Sequence, residues 1–179
     1  MGDFIKAMDV IRKHEGGYVD HPNDPGGATN YGVSLRLLKS LGDCGDVDGD
    51  GDIDRDDIKA LTQDKADDIY HKEFWDKYNY DSIHDDRVST KVFDIAVNCG
   101  PGTAARVTQK AVNALRGIDA LKIDGHLGEK SFAAINKFNP DDLLSQVVWF
   151  QKAYYRSLCD KNPALEVFLK GWLTRAEDI

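Results

Sequence analysis

The chain has 179 residues, enough for one compact domain with a sizeable core. Its apolar (41%) and charged (30%) fractions are those of an ordinary globular protein. Of the formal net charge of −8, residues 43–57 carry −7, through eight aspartates and one arginine. The acidity is therefore one local device, and no basic stripe offers phosphate-driven nucleic-acid binding. No apolar run has membrane-span length, and the N-terminus shows no signal-peptide pattern, so membrane insertion is not expected. Three cysteines, Cys44, Cys99 and Cys159, have no pairing pattern and read as reduced thiols of a protein made in a cytoplasm.

In chain order, Phe4, Ile5, Met8 and Ile11 recur at helical spacing and predict a helix over 3–14, stopped by Gly16-Gly17. A Gly- and Pro-rich loop follows to residue 32, with room for a small hairpin near 17–32. Ser34 is a candidate N-cap for a short helix carrying Leu35, Leu37, Leu38 and Leu41. Thr62 is the same for a helix with Ala66, Ile69, Tyr70 and Phe74 on one side. Helices are expected at 86–98 and 103–116, separated by "GPG" at 100–102. "IDGHLG" at 123–128 is a turn. Helices follow at 129–137 and 141–159, with a last segment around Phe168 and Trp172. The expected class is mainly α.

The stretch "DVDGDGDIDRDD" at 46–57 fits a twelve-residue calcium loop of the EF-hand type. Asp46, Asp48 and Asp50 take positions 1, 3 and 5, and Gly51 takes the sharp turn at 6. Asp52 at 7 would offer its backbone carbonyl. Ile53 at 8 faces inward, Asp54 at 9 acts through a water, and Asp57 is position 12. An aspartate there in place of the usual glutamate resembles the loops of dockerin modules. Oxygen-only ligands suit one Ca²⁺ ion rather than zinc. The competing reading is a solvated acidic turn. Like charges within about 4 Å repel by roughly 4 kcal/mol per pair at an effective dielectric near 20, which disfavours it.

The loop "HEGGYVDHPNDPGGATNYG" at 14–32 opens on Glu15, in the last turn of the first helix. The negative end of the macrodipole disfavours a carboxylate there, and burial adds to the effect. Both favour the protonated form that a general acid needs. Asp24 and Thr29 follow at short spacing, and two carboxylates flanking a bond are the equipment of glycoside hydrolysis. Thr29 is placed to hold a water beside Asp24.

The stretch "HEGGYVDHPNDPGGATNYGVS" resembles the signature of glycoside hydrolase family 108, N-acetylmuramidases of the lysozyme superfamily found in phage endolysins and prophage regions. The resemblance makes Glu15 the acid. Similarity to phage-type lysozymes maps the Glu…Asp…Thr arrangement onto Glu15, Asp24 and Thr29, with Asp20 as rival for the second carboxylate. "ALTQDKADDIYHKEFWDKY" is similar to a further family segment. "FDIAVNCGPGTAARVTQKAVN" and "IDGHLGEKSFAAI" are similar to its peptidoglycan-binding-like region.

The resemblance implies a two-lobed, lysozyme-like helical fold with a small β-hairpin or loop at the active site. It implies a catalytic region at 1–99 and a peptidoglycan-binding-like region at 100–179 on the same core. The expected partner is the peptidoglycan glycan strand, cut by a monomer. That monomer is made in the host cytoplasm, freed by a separate holin, and acts in the periplasm or wall.

Tyr18, Asn30 and Tyr31 border the expected cleft, either on the sugar or fixing the loop. Asn98, near a helix end, is placed to bind substrate or to cap. Trp75, Tyr78 and Tyr80 read as interhelical packing, and Trp149, Tyr154, Tyr155 and Trp172 as core. His14, His71 and His126 share no metal-ligand spacing.

Overall fold

The computed structural model describes residues 2–14, 17–20, 27–117 and 120–178. The fold is mainly α, lysozyme-like, with one two-stranded hairpin among the described residues. Helix α1, Phe4–His14, buries Ala7, Met8 and Ile11. Ile5 falls off that face and stands 71% exposed, contrary to the apolar stripe read from sequence. The chain divides into two compact units, residues 11–71 and residues 1–10 with 72–179.

The smaller unit holds strands β1 (Thr29–Asn30) and β2 (Val33–Ser34), then helix α2 (Leu35–Ser40). Ser34 caps α2, its hydroxyl accepting from the Leu37 amide at 3.2 Å. A 3₁₀ turn at Gly42–Gly45 follows, where only glycine fits at residue 45. A Cβ there would fall 2.2 Å from the Leu38 carbonyl oxygen. After the acidic loop comes helix α3, Arg55–Ala60, and then α4, Gln63–Tyr70. Thr62 caps α4 by accepting from the Lys65 amide at 3.3 Å. Val33, Leu38, Ile58, Leu61, Ala66 and Ile69 are buried in this unit.

A π turn, His71–Asp76, leads on from α4. In the larger unit, Trp75 meets Phe4, Phe93 and Tyr80 with ring centroids 5.6, 5.3 and 6.2 Å away. Helix α5, Asp86–Cys99, lies against α6 (Pro101–Arg116) and α8 (Pro140–Lys161). Gly100, at φ +86, breaks α5 from α6, and Pro101 starts α6 where a missing N–H costs nothing. Helix α7 (Glu129–Ile135) packs on α6, and α9 (Glu166–Glu177) packs on α8. The helix preceding Gly100 thus shares a unit with every helix that follows it.

Helix α5 also buries charge. Asp94 accepts from Arg175 Nε at 3.0 Å and pairs with its Nη2 at 2.9 Å. Lys91 Nζ donates to the carbonyls of Arg175 (3.2 Å) and Asp178 (2.9 Å), at the end of α9. A cation suits the negative end of that helix's dipole. Tyr155 is buried as expected, but Trp149 is 60% exposed and does not belong to the core. Its position on α8 faces away from the residues that α8 buries, Leu143, Leu144, Val147 and Gln151.

Candidate active site

Glu15 and Asp24, the expected acid and its first-choice partner, lie outside the described residues. The described frame around them is specific. Thr29 sits at the middle of a small antiparallel arrangement. Its register partner in β2 is Ser34, and on its other side it exchanges both amide hydrogen bonds with Val19, each 2.8 Å. The strands fall at 29–34, with the Val19 bridge inside the expected 17–32 span. The Thr29 hydroxyl donates to the Gly27 carbonyl at a long 3.4 Å. Tyr31 and Gly32 form the hairpin turn with φ of +49 and +76. Positive φ at both central residues is the I′ pattern, which matches strand twist but strains a non-glycine residue. Tyr31 and Tyr18 are 37% and 41% exposed.

Asn30 is placed differently. It is buried, and its Nδ2 donates to the Ile58 carbonyl at 3.0 Å. Ile58 lies in the last turn of the six-residue α3, so its carbonyl has no intrahelical partner. Asn30 therefore fixes the loop: it ties the hairpin to α3. Asp20, the rival second carboxylate, pairs with Arg55 at 3.2 Å, the first residue of α3. Sequence reasoning missed Arg55. The available signal was a lone cation inside a run of aspartates.

Asn98 belongs to the larger unit. Its Nδ2 donates to the Tyr155 hydroxyl at 2.7 Å, which also accepts from Gln151 Nε2 at 3.0 Å. Burial raises the Tyr155 pKa, with the neighbouring Cys99 next in effect.

The acidic loop brings its carboxylates together as two triads, Asp46/Asp48/Asp50 and Asp52/Asp54/Asp57. Within each, oxygens lie within 4.8 Å of one another. Asp46 accepts from the amides of Gly49 (2.7 Å) and Gly51 (3.0 Å). Gly51 has φ +95, the sharp turn expected at the sixth position. Asp54 caps α3 and forms a capping box with Asp57. Asp57 is almost fully buried and accepts from Val47 (2.6 Å) and Asp48 (3.3 Å) on Oδ1, and from Asp54 (2.7 Å) on Oδ2. Burial would raise its pKa, but these amide donors outweigh it and the pKa is lowered. Desolvation, then neighbouring carboxylates, raises Asp48; the charge of Asp50, then burial, raises Asp52. Helix α3 thus begins at the loop's tenth position, and two of the six aspartates already serve it as caps.

Comparisons with known proteins divide the chain near Gly100. The family described as Glycosyl hydrolase 108 matches residues 8–100. The family described as Predicted Peptidoglycan domain matches residues 103–177. The solved structure of Brucella abortus SagA is 35% identical, covering 97% of this chain and 88% of that one, with a TM-score of 0.75. No curated protein matches the chain.

Proposed function

Because the chain belongs to the glycosyl hydrolase 108 family and is a glycoside hydrolase, we propose that it is an endolysin-type muramidase. It cuts the β-1,4 bond from N-acetylmuramic acid to N-acetylglucosamine. One observation carries the reading: a glycosyl hydrolase match and a peptidoglycan-domain match lie side by side on one chain. That pairing supports a cell-wall hydrolase in general. The finer mechanism follows from the residues.

Glu15 donates its proton to the glycosidic oxygen as the bond to the anomeric carbon breaks. Water adds to that carbon from the opposite face and gives its proton to Asp24 or Asp20. The Thr29 hydroxyl orients the water. Asp20 already engages Arg55. Tyr18 and Tyr31, both partly exposed, would meet a sugar face.

The acidic loop holds one Ca²⁺ ion in this reading. Its donors are hard oxygens, its sixth residue turns at positive φ, and its exit helix starts where such loops release the chain. Asp46, Asp48 and Asp50 would hold the ion, with Asp52, Asp54 and Asp57 closing on it. The ion would neutralise the packed carboxylates and set the start of α3. No helix among the described residues is long and apolar enough to cross a membrane. A monomer made in the host cytoplasm and freed by a separate holin would act in the periplasm or wall.

Mass analysis of digested peptidoglycan tests the reading. Reducing N-acetylmuramic acid ends with water added are expected. Anhydro ends would assign a lytic transglycosylase instead. Wall binding without any cut product would leave a calcium-stabilised binding module.

A further inference from the structure

The segments at 100–103 and 123–128 take no part in the proposed bond cleavage, yet they fold to one place. Together with residues 77–80 they enclose a pocket of about 40 Å³. Its buried floor includes Tyr80, Ala105 and Leu127, and its exposed rim includes Lys77, Asn79 and His126. The pocket has room for a methyl-sized group.

Beside it lies an unusual cation. Arg106 is exposed on α6, yet its guanidinium lies close against Gly125. A Cβ at Gly125 would fall 2.8–3.1 Å from the guanidinium carbon and nitrogens, and one at Gly102 would fall 3.2 Å from Nη1. Both glycines leave the room that this pose needs. Arg106 makes no ion pair or hydrogen bond among the described residues. The other nearby charges are already engaged. Lys77 pairs with Glu73 at 2.7 Å, and Asp124 accepts from Gln109 (2.9 Å) and the His126 amide (3.0 Å). A planar fork of donors beside a small pocket of mixed polar and apolar lining, with no anion of its own, suits a carboxylate.

We propose that this pocket takes the terminal, carboxylate-bearing residue of a peptidoglycan stem peptide, its alanine-sized side chain entering the cavity and its carboxylate meeting Arg106. The proposal rests on peptidoglycan being the substrate. It gives the glycyl turns at 100–102 and 125 a task that neither the glycan bond nor the acidic loop supplies. It also makes the C-terminal family match a reader of peptide rather than of sugar.

The test is a titration of the isotope-labelled full chain with acetyl-D-alanyl-D-alanine, with its C-terminal amide, and with inorganic phosphate. The acid is expected to shift the backbone amides of Gly102, Gly125 and Leu127. The amide is expected to bind about tenfold or more weaker, as loss of a charge-assisted pair implies. R106Q should bring the acid down to the amide's level, and R106K should fall between. The rest of the R106Q spectrum reports that the fold is kept. Equal binding of acid and amide overturns the proposal, as does wild-type affinity in R106Q. Phosphate shifting the same amides as strongly would show a general anion patch and overturn it too. Wild-type digestion of peptidoglycan is measured separately. Binding without digestion leaves the pocket standing and sinks the muramidase reading, and digestion without binding does the reverse.

Discussion

Lys91→Met should change how stability depends on pH, and the direction is opposite to that of an ordinary salt-bridged lysine. Lys91 is 1% exposed on α5. Desolvation lowers its pKa from 10.5 to about 8, against the opposing pull of Asp94 and with Arg175 adding to the fall. Below pH 8 the folded and unfolded chains both carry the proton, so the cost of burying the charge is fully present. Between about 8 and 10.5 the folded chain has released the proton and the unfolded chain has not. Stability therefore rises across that window, by about 3 kcal/mol between its limits. From pH 7 to pH 9 the gain is about 1 kcal/mol, or about 2–4 °C in Tm for a chain of this size. Above that, Cys99 opposes it, because burial pushes its thiol from 9.0 to about 11 and the unfolded thiol ionises first. Melting curves at pH 7, 8 and 9 read the effect. The wild type is expected to gain Tm relative to K91M as pH rises, whatever the offset between them at pH 7. Parallel curves for the two proteins would refute the claim that a charged Lys91 is buried at a cost.

Glu15→Gln is expected to keep the melting curve and lose about 100-fold or more of the lytic rate, measured by turbidity, because an amide cannot donate the proton. Proton NMR of the first-formed product should show inversion at the anomeric carbon, which needs the two carboxyls about 6.5–9.5 Å apart; retention would place them near 5 Å. Asn30→Ala should lower stability by about 1–3 kcal/mol, the cost of an unpaired buried carbonyl at Ile58, and Asn30→Asp should be worse because it sets two acceptors face to face. Ca²⁺ should raise Tm, by an amount equivalent to about 2.7 kcal/mol at a hundredfold excess over Kd, with Mg²⁺ a poor substitute. Asp50→Ala should mimic EDTA, and calorimetry showing no Ca²⁺ uptake would remove the ion from the account.

Signals in the sequence are legible where the physics is local. Ser34 and Thr62 announce helices because a cap binds amides only three residues away. Gly100 and Pro101 announce a break because each acts on its own backbone. Helix α3 was hidden for the opposite reason. It has six residues and no apolar period, and its capping box is written in the same aspartates as the acidic loop. The π turn at His71–Asp76 has no sequence signature of its own. Asn30 and Lys91 were illegible in a stronger sense. What buries them is a carbonyl 28 residues away in one case, and carbonyls 84 and 87 residues away in the other. No window of sequence contains both partners. Trp149 shows the converse: an aromatic on a helix reads as core, yet the face that α8 buries is set by its neighbours and leaves this residue 60% exposed.

Helix α3 explains why the acidic loop and the hairpin belong in one unit. Six residues make a marginal helix, with orphan groups at both ends and little propagation to offset nucleation. Its N-terminal amides are met by Asp54 and Asp57, so the loop 46–57 sets where it begins. Its Ile58 carbonyl is met by Asn30, so the hairpin depends on where it ends. Arg55 adds a second tie, to Asp20 on the strand side of the same loop. Thr29, next to Asn30, has its backbone held by Val19 on one flank and belongs to the β1–β2 pairing on the other. It can move only by breaking that frame or by carrying α3 with it. A cation in the loop would therefore act on bond cleavage without touching substrate, through the stability of one short helix. The ion's effect on turnover should then disappear when Asn30→Ala cuts the tie, while its effect on Tm remains. Turnover of N30A measured with Ca²⁺ and with EDTA decides it: equal loss of rate on metal removal in both proteins would show that the loop acts by some other route.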